Sequence, residues 1–303
     1  MKNIKITSML LGAFLLLGGC QEDNVDKNVD VITIDSRQQT EFDEYLKTIF
    51  TDKYNIKFIY KWDDKESDTN YALVPARLSK SVQMANIVKY LALDAYESVA
   101  PDDFLKKYFP KTIMLVGSAA YRNNGTMVLG TAEGGVKITL YDVNQLNDIQ
   151  GKTEEELQPI IQRLFEFYFR TIFHEFSHIL HQTVDYTPAF QQISETDYVG
   201  GEWNKAWEDG ESLKKGFISD YSSKERNEDF VELIAHYITT SPEKWEEKLN
   251  AAGKEGATKI NQKMNIISTY MEEKWSIDIN ELRDEVLRRA AKLNEIDLNK
   301  TNA

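Results

Sequence analysis

The sequence predicts an α+β fold, with a small antiparallel sheet and one polar-marked helix in an N-terminal lobe and a mainly helical C-terminal lobe. Two observations carry this. Period-two alternation of apolar residues is confined to residues 56–141, whereas from residue 153 onward apolar residues recur at helical spacing. The 303 residues are 42% hydrophobic and 28% charged, enough apolar material for a core. The partition that follows is a leader over 1–19, a polar linker over 20–37 and a folded region over 38–303. Within the folded region, 38–183 reads as the α/β lobe and 184–303 as the helical lobe.

Met1–Thr7 carries Lys2 and Lys5, Met9–Leu17 is apolar, and Leu17-Gly18-Gly19-Cys20 follows. A charged start, a short apolar middle and small residues before a cleavage point predict a secretory signal. The middle is too short to span a bilayer, which takes about 20 residues. Leu-Gly-Gly-Cys resembles the bacterial lipobox. That resemblance implies cleavage before Cys20, diacylation of its sulfur, and a cell-envelope lipoprotein on the outer membrane. Cys20 is the one cysteine, so no internal disulfide or thiolate metal cluster can form. Residues 21–31 are polar and acidic and predict a flexible tether. Gln21-Glu22-Asp23 resembles the acidic surface-export tag of Bacteroidetes lipoproteins, which implies surface exposure. Lys+Arg number 36 and Asp+Glu 49, a formal net charge of -13. Phosphate repels such a chain, so nucleic acid is not an expected partner.

In the folded region Phe42, Tyr45, Leu46 and Ile49 predict a helix over 41–50. Ile56, Phe58, Tyr60 and Trp62 alternate against two lysines, Lys57 and Lys61, and predict a half-buried strand. Residues 79–99 read as a long amphipathic helix that ends before Pro101. Residues 112–120 are strand-like, Asn124-Gly125 is a hairpin turn signal, and 126–131 would be the returning strand. Gly134-Gly135 then turns into a strand over 136–141, completing an antiparallel meander. Thr153-x-x-Glu156 is a capping box that opens a helical stretch through Ile161, Leu164, Tyr168, Ile172, Phe176 and Leu180, with Pro159 inside it or marking a restart. From 227 to the end the chain reads as helix, broken near Ser241-Pro242, Gly253, Gly256 and Ser276–Asp278.

Three of the four histidines fall within eight residues: His174, His178 and His181. His174-Glu175-Phe176-Ser177-His178 is the HExxH pattern. Four residues along a helix is about one turn, so His174 and His178 share a face and can bind one zinc, with Glu175 beside them to move a proton. Zinc then needs a third protein ligand and leaves a fourth position for water. His181 is one candidate on roughly the same face. A single straight helix does not easily converge three side chains on one ion, which favours His181 as a supporting or packing residue. His236 lies on a later helix. Glu228 and Glu232 are four apart in Asn227-Glu228-Asp229-Phe230-Val231-Glu232, an otherwise apolar helix, and offer a better third ligand.

HExxH followed some 50 residues later by Glu-Asp-Phe-x-Glu resembles the gluzincin pattern, in particular the anthrax-lethal-factor type of peptidase. The resemblance implies a zincin-like fold holding one Zn2+ per chain, with Glu228 as third ligand and Glu232 as a carboxylate behind it. It also implies a tyrosine facing the reacting oxygen, and Tyr221 stands at the right spacing. With the lipobox and HEFSHILHQ, the chain resembles the substrate import-associated zinc metallohydrolase lipoproteins of Bacteroidetes, which implies a peptide or protein substrate and an outer-membrane import complex as partner. Val231 replaces that family's usual alanine, an apolar exchange. Two glycines and Trp203 and Trp207 in the loop after Tyr198 are candidate cleft-lining residues. Two rival readings remain: a non-catalytic surface lipoprotein that binds a glycan or peptide for an importer, and a structural tether in an outer-membrane complex. Against the first, a pure binder has no use for Glu175.

Overall fold

The computed structural model describes residues 39–302, apart from 64, 69, 122–126, 129 and 134–135. The leader 1–19, Cys20, the tether and the turns at Asn124-Gly125 and Gly134-Gly135 lie outside the described residues. Thr40–Ala303 forms one unit. No helix among the described residues is long and apolar enough to cross a membrane.

The first helix, α1 (Glu41–Leu46), starts at a capping box between Thr40 and Asp43 and runs on through a π-helical Lys47–Asp52. It leads into β1 (Lys57–Ile59). The predicted long helix is α2 (Leu78–Val88), continued through π-helical Lys89–Leu93 into α3 (Asp94–Val99). After α4 (Phe104–Tyr108) come β2 (Thr112–Leu115), β3 (Ala120–Tyr121), β4 (Met127–Val128), β5 (Gly130–Glu133) and β6 (Lys137–Leu140).

The sheet corrects the sequence expectation. It is mixed rather than an antiparallel meander: the order is β1-β2-β6-β5, with β1–β2 and β2–β6 parallel and only β5–β6 antiparallel. β3 and β4 leave it and pair with each other. The physical reason lies in the connections. α2–α4 return the chain so that β2 starts at the same end as β1, which parallel pairing requires. Within this sheet only β5 runs against its neighbour, β6. Both faces of β2 are covered, Ile113 and Leu115 by the main core and Met114 with Val116 by a second cluster holding Ile59 and Tyr141. Period-two alternation therefore reflects two apolar environments here, not one core and one solvent face.

The second half is helical as expected. The rod starts with α5 (Glu154–Leu164), capped by Thr153 and Glu156, with Pro159 inside it. A π-helical turn, Phe165–Phe169, joins it to α6 (Arg170–Thr183). Short helices α7 (Ala189–Gln192) and α8 (Glu211–Lys214) follow, then α9 (Arg226–Ile238), α10 (Pro242–Trp275) and α11 (Ile279–Ala291). Ser241 caps α10 with Pro242 in its first turn, and Gly253 is a non-helical kink with φ 65°. Gly256 stays helical; a side chain there would collide with the Leu213 carbonyl of α8, so the glycine serves a close helix approach rather than a break.

α6 and α9 pack directly on each other, and α6 also touches the sheet at β5, an edge strand. Each helix is anchored by aromatic rings. Phe176 is fully buried among Tyr96, Phe104 and Phe109, with ring centroids 5.0, 5.6 and 5.0 Å away. On α9, Phe230 stacks on Tyr186 at 3.9 Å and meets Phe190 and Tyr270 edge-on. These anchors leave the opposite faces of both helices free to hold polar groups against each other.

Candidate metal centre

α6 presents His174 and His178 one turn apart, and α9 crosses them with Glu228 and Glu232 one turn apart. His178 Nε2 lies 3.2 Å from His174 Nε2 and 3.2 Å from Glu228 Oε2, and His174 Nε2 lies 3.3 Å from the same carboxylate oxygen. Ligands 2.0–2.1 Å from a tetrahedral zinc stand about 3.3 Å apart, so this triangle has the dimensions of three such donors. Two imidazole nitrogens and a carboxylate oxygen are also the donor types zinc accepts. Among the described residues this trio is the one group of three such donors within ligand distance of one another.

Each donor is held from behind. His174 Nδ1 meets Glu232 Oε1 at 2.8 Å, and Ser219 Oγ donates to Glu232 Oε2 at 2.6 Å. Donation from Nδ1–H fixes the tautomer and turns the Nε2 lone pair toward the centre. His178 Nδ1 lies 2.9 Å from His181 Nε2. Burial first, and then the neighbouring His178, lower His181 to about 4, so it stays neutral and can accept from His178 Nδ1–H. His181 thus stands behind a donor rather than among the donors. Glu228 uses its two oxygens differently. Oε2 faces the histidines, while Oε1 accepts from the Tyr221 hydroxyl at 2.7 Å and the Lys224 ammonium at 2.7 Å.

The electrostatics favour a cation. Burial opposes a charged His174, yet its hydrogen bonds to Glu228 and Glu232 raise it to about 10. A site that draws a proton onto a buried imidazole at neutral pH is short of positive charge. Burial also works against Glu228, but His174, His178, Lys224 and Tyr221 hold it far below the usual carboxylate range. Glu175 is half-buried, and burial raises it above the ordinary range although both imidazoles pull it down. Burial and the Glu228 carboxylate push Tyr221 far above its usual value, so it remains a hydroxyl donor.

Sequence reasoning named His174, Glu175, His178, His181, Tyr221, Glu228 and Glu232, and the fold brings these seven together. Trp203 stacks edge-on against Tyr221 at 5.0 Å, whereas Trp207 turns away to donate to Ser223 Oγ at 2.7 Å and pack on Phe217. Lys224 and Ser219 were missed. Lys224 carried a faint signal, its spacing of four residues before Glu228. Ser219 carried none. His236 sits behind Glu232 Oε2 at 3.5 Å.

A model of the family described as "Putative zinc-binding metallo-peptidase" matches residues 35–280. The chain belongs to this family. A crystal structure of a putative zinc-binding metallo-peptidase from Bacteroides caccae is similar: it is 36% identical with a TM-score of 0.74, covering 86% of this chain and 95% of that chain. None of the curated proteins matches. The family's zinc-binding character agrees with the donor chemistry of the His174–His178–Glu228 triangle.

Proposed function

We propose that the protein is a zinc-dependent metallopeptidase that cleaves peptide bonds at the cell surface. The observation that carries this reading is the donor triangle with Glu175 beside it. His174, His178 and Glu228 would hold the ion. When bound, zinc supplies Lewis acidity and lowers the pKa of water from 15.7 towards about 7. Glu175, with its affinity for a proton raised by burial, takes the proton of the attacking water and returns it to the leaving amine. Tyr221 is a protonated donor at the rim and would rotate from Glu228 to the carbonyl oxygen as that oxygen gains charge; one such donor is typically worth about 3 kcal/mol. Glu232 and His181 keep the two imidazoles oriented. β5 is an edge strand beside α6, so an extended peptide can pair with its backbone and lie across the centre.

The lipobox at Cys20 supports attachment to the outer membrane, and the likeness to import-associated lipoproteins supports a role in preparing peptide nutrients for uptake. Labelling of the protein with radioactive palmitate, lost in Cys20→Ala, tests the anchor. The activity itself is tested with Glu175→Gln on a peptide library. The variant should keep one zinc per chain and lose at least 10²-fold in turnover. Undiminished cleavage by the variant would remove Glu175 as the base, and absence of cleavage by the zinc-loaded parent would remove the peptidase reading.

A further inference from the structure

α6 and α9 run antiparallel, so His178 meets Glu228 at one end while Arg170 meets Thr239 at the other, its Nε donating to Thr239 Oγ1 at 3.3 Å. Beside that second end lies a cavity of about 420 Å³, bounded by α5, α6, α10 and α11. Its volume falls within the range of small-ligand sites. The metal centre makes no use of it.

The lining is unusual for a chain with net charge -13. Arg170, Lys244 and Lys248 face the cavity, and Glu166 is the sole carboxylate there. Glu166 is held by Gln162 Nε2 at 3.1 Å, and Lys244 reaches Gln162 Oε1 at 3.2 Å. Among the described residues Arg170 has no carboxylate within ion-pair distance, and Lys248 has neither an ion pair nor a hydrogen bond. Buried or half-buried cations are ordinarily paired, because desolvation penalises the lone charge. Here burial lowers both Arg170 and Lys248, and Arg170 lowers Lys248 further. Glu166 offsets part of this on both and Glu232 on Arg170, but neither carboxylate comes within ion-pair distance, so two cations stand close with no direct counter-ion. The rest of the wall is apolar: Phe165, Leu287 and Ala290.

We propose that this cavity is a second binding site, for a small carboxylate with an apolar tail. The carboxylate would sit between Arg170 and Lys248, and the tail would lie over Phe165 and Leu287. A guanidinium fork matches the planar carboxylate. Glu166 in the same wall works against a more highly charged anion such as phosphate. The apolar wall separates a tailed carboxylate from formate-sized ions. The site stands apart from the peptidase reading, since none of its residues belongs to the donor triangle.

Calorimetric titration of the zinc-loaded full chain with hexanoate, hexan-1-ol and inorganic phosphate tests it. Hexanoate should bind saturably, one per chain, and at least tenfold more tightly than either other probe. Lys248→Met should weaken hexanoate at least tenfold while leaving zinc content and the melting curve unchanged, and Arg170→Met should do the same if it folds. A carboxylate bound at the metal centre instead would be unaffected by Lys248→Met, and that result would overturn the proposal. Absence of saturable hexanoate binding, or phosphate binding as tightly, would overturn it equally.

Discussion

Glu228 divides its labour between its two oxygens. One faces His174 and His178, and the other is taken by Tyr221 and Lys224. With Oε1 saturated, the carboxylate has one oxygen left to offer, in a fixed rotamer. Lys224→Met should therefore weaken zinc about 10- to 100-fold, the usual cost of losing a group that orients a ligand, with Lys224→Arg restoring most of it. Titration against a chelator of known affinity measures this, and an unchanged affinity would make Lys224 a bystander. The three donors themselves were readable from the sequence, since HExxH and the Glu228/Glu232 pair each place two polar groups on one helical face. The Lys224 contact was not, because whether a lysine four residues away reaches in or out depends on what the loop at Trp203 and the turn at Tyr221 leave open.

Helices α1, α9 and α10 show polar groups working between elements. Asp229 adjoins the donor Glu228 but points the other way, to Lys263 of α10 at 2.7 Å, with both side chains almost wholly buried. Tyr198 donates to the same carboxylate at 2.9 Å, and Lys263 donates to the Gly216 carbonyl at 2.8 Å. Removing one partner leaves an uncompensated buried charge, so Lys263→Met should cost about 3–5 kcal/mol in urea unfolding. The double variant Asp229→Leu/Lys263→Met should recover much of that loss. At α1, Asp43 caps the helix and bonds Tyr60 and Lys61. Against the opposing effect of burial, Lys61, Thr40 and Tyr60 lower Asp43 from 3.8 to about 2. Its folded pKa is depressed, so its stabilisation is fully present above 3.8 and is lost as the pH falls through about 2. Asp43→Asn should cost on the order of 1–2 kcal/mol at pH 6 and close to nothing at pH 2. A penalty equal at both pH values would locate the effect in packing rather than charge. The capping box at Thr153 and the breaks at Ser241, Gly253 and Ser276 were legible because caps and breakers act within a few residues. Strand direction was not, because the same alternation serves a parallel or an antiparallel neighbour.

On the scale of the whole molecule the donor triangle joins two helices about 50 residues apart in sequence, so a bound ion should cross-link the folded state and stabilise it. Zinc at 100 times its dissociation constant adds about 2.7 kcal/mol, which for a domain of this size raises Tm by roughly 5–10 °C. Calorimetry with zinc and then with excess chelator should show this shift appear and vanish, and His178→Ala should abolish it. A shift that survives in His178→Ala would place the stabilising ion elsewhere. By itself the sequence determined the α+β class, most helix limits, the HExxH face and the second carboxylate pair, because these depend on side-chain spacing over one or two turns. Only the tertiary structure decided that the sheet is mixed, that Lys224 and Ser219 serve the centre, that His181 stands behind His178, and that Arg170 and Lys248 line one cavity. These depend on contacts between residues far apart in the chain, where the energy of meeting is set by crossing geometry and burial rather than by any local pattern.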